Sequence, residues 1–177
     1  MGRSVFSRIQ SSYFHHDKPN MLWLFWLVAV LIFFSTSLAQ AQWSGQVVWV
    51  LDGDSLIVSH HGQKKRIRLL GIDSPEKGQP YADQAKKNLI QLVKNHRVTV
   101  LEKYSDKFGR TVAQITLEDG RNLNRTLVEL GLAWRHPYFA KDPKLITLEA
   151  EAKKAGRGLW QEKNPTPPWV WKQQHKR

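Results

Sequence analysis

The chain has 177 residues, with 27 Lys and Arg against 15 Asp and Glu, and a formal net charge of +12. This length suits one ordinary domain with an added segment, and a composition of 41% hydrophobic and 24% charged residues excludes a disordered or collagen-like chain. The lack of cysteine excludes disulfides, thiolate metal sites and a cysteine nucleophile, while the basic excess calls for a polyanionic partner, either nucleic acid or an anionic membrane surface.

Residues 1–20 are polar and carry Arg3, Arg8 and Lys18 against Asp17. Met21 to Leu38 contains no charge, and Ala39 and Ala41 follow in an A-x-A arrangement. Basic start, apolar core and small residues are the order of an export signal. The uncharged stretch also reaches the lower edge of a membrane-spanning helix. Residues 1–41 are therefore read as a cleavable signal peptide or a retained N-terminal anchor, with the domain exported, secreted or periplasmic, and touching a membrane only through that segment if it is kept. This leader holds three basic residues and one acid, so a charge of +10 stays with the rest of the chain.

The domain, expected over 42–163, opens with QVVWVL at 46–51 and a second β-branched run, DSLIVS, at 54–59. Asp52-Gly53 between them is a short-hairpin signal. A turn over 60–65 leads into RIRLLGI at 66–72, whose alternation puts Ile67 and Leu69 on one face and Arg66, Arg68 and Leu70 on the other. The loop DSPEKGQP is dense in turn residues. Ala82, Ala85, Leu89, Leu92 and Val93 then recur at helical spacing. Two more strands, RVTVLE at 97–102 and TVAQITL at 111–117, flank the loop YSDKFGR. A short helix carries Leu123, Leu127 and Leu130 and ends at Gly131. Another starts at Asp142-Pro143, is striped by Leu145, Leu148, Ala152 and Ala155, and stops at Gly156. The tail, 164–177, is rich in Pro, Trp and basic residues and is expected to wrap the surface, its tryptophans pinning it down. The pattern predicts an α+β fold: a five-stranded β-barrel of OB type with about three helices, behind the N-terminal signal or anchor helix.

Four carboxylates, Asp52, Asp54, Asp73 and Glu76, lie near turns. Antiparallel pairing of the second and third strands brings the start of one beside the end of the other, so Asp54 and Asp73 meet at one end of the sheet. Convergent carboxylates repel unless a cation lies between them, and oxygen ligands favour a hard ion, Ca²⁺ or Mg²⁺. Arg68 and Arg110 supply permanently charged forks for phosphate. A metal, two arginines and a spare carboxylate are the parts for phosphodiester hydrolysis: the cations stabilise an overcharged phosphorus, and the acid activates water.

The strings DGDS, RLLGIDSPE, DKFGR and LNRTLVELGLA, in this order and spacing over about residues 45–160, resemble the staphylococcal nuclease-like (thermonuclease) family. The resemblance implies an OB-fold and Ca²⁺-dependent cleavage of DNA and RNA at the P–O5′ bond, leaving 3′-phosphate ends. It implies Asp54 and Asp73 as carboxylate ligands of calcium, with Ser74 giving its backbone carbonyl where the family has Thr. Arg68 and Arg110 match the phosphate-binding arginines, Glu76 the acid proposed as general base, and Asp52 an acid near the metal. Lys107, Phe108 and Tyr138 stand as substrate contacts, Phe108 where the family's best-known member has Tyr. The loop after Glu76 is shorter than in that member, with only KGQP before the helix.

The enzyme is expected to act as a monomer and to prefer single strands, which fit a barrel groove better than duplex. It should show little sequence selectivity, because metal and arginines read phosphate and not base edges. Two rivals are a non-catalytic OB-fold nucleic-acid-binding module and a membrane-surface protein whose charge serves anionic lipid.

Overall fold

The computed structural model describes residues 41–94 and 96–175, and the expected signal or anchor segment lies, but for Ala41, outside them. Among the described residues, no helix is long and apolar enough to cross a membrane.

Five strands close a barrel in the order β1 (Gln42–Val50), β2 (Ser55–His60), β3 (Gln63–Leu69), β6 (Thr111–Leu117) and β5 (Arg97–Ser105), with β5 pairing back onto β1. All neighbours are antiparallel except β3 and β6, which run parallel. The β2–β3 hairpin is tight: His60 pairs with Gln63, and His61 and Gly62 between them both take positive φ. That backbone matches the twist of the flanking strands. Alternation along β3 sends Ile67 and Leu69 inward, where they are fully buried with Leu56, Val58, Val98, Val100, Ala113 and Ile115. Arg66 and Arg68 are left on the outer face.

A helix α1 (Ala82–Val93) packs Ala85, Leu89 and Val93 onto this core, and α2 (Leu123–Glu129) adds Leu123, Leu127 and Val128. The Asn122 side chain caps α2 by accepting from Arg125 N at 3.0 Å. Two short strands unforeseen in the sequence, β4 (Ile72–Asp73) and β7 (Trp134–Arg135), pair with each other and hold the segment after β3 in place. A third helix, α3 (Lys144–Lys154), begins one residue after Pro143, with Lys144 N donating to Asp142 Oδ1 at 3.0 Å.

The expectation of about three helices is corrected to four among the described residues. The fourth, α4 (Pro168–Gln174), lies in the tail, where a surface wrap was expected. Its proline at the first helical position lacks an N–H that the helix could not use there in any case.

Candidate active site

The loop joining β1 to β2 folds on its own acids. Leu51 N donates to Ser55 O at 2.9 Å, and Asp54 N donates to Asp52 Oδ1 at 3.1 Å. This Asx-type closure turns the Asp54 side chain inward, leaving it 5% exposed. The expected hairpin forms, with β1 and β2 antiparallel on either side of this loop. Gly53 is not among the positive-φ residues. It is needed for another reason: a Cβ there would sit 2.6 Å from Ser74 Oγ and 2.9 Å from Ala85 Cβ. The glycine lets the acidic loop close onto the segment after β4 and onto α1.

The β2–β3 register pairs Ser55 with Arg68, which places Asp54 beside that guanidinium. Arg68 Nη1 forms an ion pair with Asp54 Oδ1, and Nη2 donates to Asp73 Oδ1 at 2.5 Å. Asp54 also accepts from Ser74 N at 2.7 Å and Ser55 Oγ at 3.1 Å. Asp73 is 2% exposed and ends β4, fixed by its pairing with Trp134. Asp54, Asp73, Ser74 and Arg68 are thus brought together at one end of the barrel.

The electrostatics are unbalanced. Burial works against the Asp54 carboxylate, but the Arg68 charge and the Ser74 N–H outweigh it and hold Asp54 below its usual range. Burial and the neighbouring Asp54 push Asp52 up to about 6. Burial raises Asp73 as well, since Arg68 and Lys172 offset it incompletely while Asp54 and Glu76 add to it. Arg68 itself is burdened by burial, yet its acidic neighbours keep it more firmly protonated than a free arginine. Three crowded acids share one buried cation, and this excess of negative charge is what a divalent ion would relieve.

The donor set suits a hard ion, since every available atom is oxygen. Among the described residues, no three His, Asp or Glu side chains converge as a ready metal cage. A cation here would therefore draw on Asp54, Asp73, the Ser74 carbonyl and water. Such partial coordination by protein is ordinary for Ca²⁺ and Mg²⁺.

Glu76 lies in the same loop, where its carboxylate Oε1 meets Lys172 Nζ at 2.8 Å. Lys172 also stands 3.7 Å from Asp73 Oδ1. Burial opposes its charge, but the bond to Glu76 and the Asp73 charge raise its pKa. Nothing local in a basic tail singles out Lys172, and sequence reasoning missed it. His136 was missed too. Its backbone N donates to Gly71 O at 2.9 Å, and its ring lies 5.7 Å from that of Trp169. Burial, then the charges of Arg68 and Lys172, lower its pKa.

Arg110 is placed differently. The loop before β6 wraps around Asp106, whose Oδ1 accepts from Phe108 N at 2.9 Å and Arg110 N at 3.0 Å. Arg110 Nε donates to Asp106 Oδ2 at 2.7 Å, so its guanidinium is paired with this acid and not with Asp54 or Asp73. Arg110 immediately precedes β6, whose Val112 pairs with Arg68 across the parallel β3–β6 ladder. Phe108 is 69% exposed, with Lys107 Nζ 5.2 Å and Arg110 Cζ 5.5 Å from its ring centre. Tyr138 is 84% exposed, its ring 6.1 Å from His136. Lys107, Phe108 and Tyr138 are therefore surface groups outside the buried cluster.

The staphylococcal nuclease homologue family matches residues 66–162 of this chain. An uncharacterized endonuclease of Escherichia coli O157:H7 is 40% identical over 143 residues, which is 81% of this chain and 94% of that protein. A micrococcal nuclease of Shigella flexneri is 36% identical over 148 residues, covering 78% of this chain and 85% of its own length. Protein ParB of Escherichia coli is 33% identical over 156 residues, covering 82% and 88%.

Proposed function

The chain belongs to the staphylococcal nuclease family, and on that premise we propose that it is a Ca²⁺-dependent nuclease on an OB-type barrel, hydrolysing DNA and RNA at the P–O5′ bond and leaving 3′-phosphate ends. The observation that carries this reading is the convergence of Asp54, Asp73 and Arg68 at one barrel end, beside Glu76.

Asp54, Asp73 and the Ser74 carbonyl would hold the ion, with Asp52 behind them. When bound, calcium supplies positive charge next to the phosphate and polarises it. Arg68, on the outer face of β3, and Arg110, in the loop just before β6, would present guanidiniums to the non-bridging phosphate oxygens. Their charge favours the crowded, more negative phosphorus over the starting diester, which lowers the barrier. Glu76 accepts the proton of the attacking water as its oxygen bonds to phosphorus, while the P–O5′ bond breaks and the departing oxygen takes a proton from solvent. Phe108 and Tyr138 offer exposed rings for bases and Lys107 a charge for the strand, contacts that do not depend on sequence. Export by residues 1–41 is part of the same reading, and the intact mass of the exported protein tests whether they are cleaved.

The test is end-labelled DNA and RNA, single- and double-stranded, incubated with the purified protein in Ca²⁺ or in chelator. Calcium-dependent shortening with 3′-phosphate termini is the expected result. Salt-sensitive binding without cleavage across a range of calcium and pH would replace this reading with that of a binding module. Tight flotation with anionic vesicles and no cleavage would replace it with a membrane-surface role.

A further inference from the structure

The residues that follow 162 lie beyond the family match, yet they run back to the site. Two contacts tie them to Glu76. The first passes through Gln79, a buried side chain at 6% exposure. Its Oε1 accepts from Glu76 N at 2.9 Å, its backbone N donates to Glu76 O at 2.8 Å, and its Nε2 donates to Thr166 O at 2.5 Å. The second is Lys172 on α4, with Nζ at 2.8 Å from Glu76 Oε1 and 3.7 Å from Asp73 Oδ1. The C-terminal segment thereby holds the Glu76 carboxylate directly through Lys172 and its backbone indirectly through Gln79. That segment is itself seated by Trp171, which lines a narrow cleft with Gln79, Pro80, Tyr81 and Trp134.

A half-exposed ion pair of this kind adds little to folding stability. It does remove freedom from a long side chain that ends in the site. Lys172 Nζ meets Oε1 of the Glu76 carboxylate at 2.8 Å and so anchors one of its two oxygens.

We propose that Lys172 is a positioning residue of the hydrolysis, reaching in from the C-terminal helix to hold the Glu76 carboxylate toward the attacking water. This rests on the nuclease reading above. Holding a base within reach of its proton is worth a sizeable part of the rate it contributes.

The experiment measures kcat and KM of the full chain on a single-stranded oligonucleotide at saturating Ca²⁺, for wild type, Lys172→Met, Lys172→Arg, Glu76→Gln and the Lys172→Met/Glu76→Gln double variant. Thermal melting of each variant accompanies the kinetics. Lys172→Met keeps the apolar stem; it should lower kcat about tenfold and leave KM within about twofold. Lys172→Arg should restore most of the loss. In the Glu76→Gln background, Lys172→Met should cost nothing further, because the group it acts through is gone. Equal losses in both backgrounds, or a raised KM with kcat intact, would overturn the proposal, and so would wild-type kinetics from Lys172→Met. Should Lys172→Met unfold, Lys172→Gln is put through the same cycle and read in the same way. An inactive wild type sinks the nuclease reading itself, whereas active wild type with an uncoupled Lys172 sinks this inference alone.

Discussion

The backbone N–H of Ser74 donates to Asp54 Oδ2 at 2.7 Å, joining two loops twenty residues apart. Asp54 N closes its own turn on Asp52, and Asp54 Oδ1 faces Arg68. One carboxylate thus ties together the loop before β2, strand β3 and the segment after β4. Asp54→Asn keeps an oxygen for the Ser74 N–H but loses the charge that pairs with Arg68, and it should weaken Ca²⁺ binding at least about tenfold and lower stability. Asp54→Ala also leaves that buried N–H without an acceptor and should cost about 1–3 kcal/mol. Calcium calorimetry and urea unfolding of both variants separate the two effects, and an unchanged calcium titration in Asp54→Asn would remove the residue from the metal site.

Arg68 holds the acidic cluster together, whatever its proposed part in binding phosphate. Its guanidinium is wedged between Asp54 and Asp73, so Arg68→Ala takes the nearest cation from two buried carboxylates. Removing one partner of a buried ion pair costs about 3–5 kcal/mol. The expected outcome is turnover reduced at least about a hundredfold, together with a lowered urea midpoint in chelator. Added Ca²⁺ should recover part of that midpoint by mass action, since it binds the folded state. A variant as stable as wild type in chelator would contradict the buried-pair account. Arg68→Lys should fall short of rescue, because one ammonium cannot serve both acids with the geometry of a fork.

The sequence made the meeting of Asp54 and Asp73 legible because antiparallel pairing of β2 with β3 follows from a turn and an alternation, both local. The burial of Ile67 and Leu69 followed from that same alternation. The hairpin at Asp52-Gly53 was legible, but the reason for its glycine was not: the residue serves a close approach to Ser74 and Ala85, which only the folded chain creates. The β4–β7 pair escaped because two-residue strands have no period. Lys172 and the Gln79–Thr166 bond span about a hundred and 87 residues, respectively, and no local pattern announces a contact that distant. The Asp106 loop was a missed opportunity, since Asp followed by Gly and Arg is the chemistry of an Asx turn.

Gly53 offers a test of how closely the acidic loop must pack. The Cβ of alanine would meet Ser74 Oγ at 2.6 Å, Ser74 Cβ at 2.7 Å and Ala85 Cβ at 2.9 Å. Since φ at Gly53 is not positive, the cost comes from contact and not from backbone strain. Gly53→Ala should destabilise the protein by about 1–3 kcal/mol and weaken Ca²⁺ binding by moving the Asp52 and Asp54 loop away from Ser74. Adding Ser74→Gly, which retains the backbone carbonyl, should restore part of both losses. Melting curves and calcium titrations of the single and double variants check this. A Gly53→Ala protein with wild-type calcium affinity would mean that the loop does not depend on that approach.

Arg110 and Asp106 behave as a unit on the surface. Arg110→Ala should cut turnover about a hundredfold and also lower stability, because the pair is partly buried and Asp106 loses its Nε–H donor. Asp106→Asn should reduce turnover by a smaller factor, because the guanidinium survives but loses its anchor. The pair also sets an acid limit. Slight burial works against the Asp106 carboxylate, but the N–H groups of Arg110 and Phe108 and the Arg110 side chain outweigh it and hold its pKa below the usual value. A depressed folded-state pKa contributes stability above the unfolded value, near 3.9 for Asp, and that contribution is lost as pH falls through the folded value. The loop should therefore keep its form at pH 5 and open only at pH values below about 4. In amide NMR spectra recorded down the pH scale, the Phe108 and Arg110 N–H signals should shift together in that acid range. They should lose this step in Asp106→Asn, and a shared transition near neutrality would show that another group governs the loop.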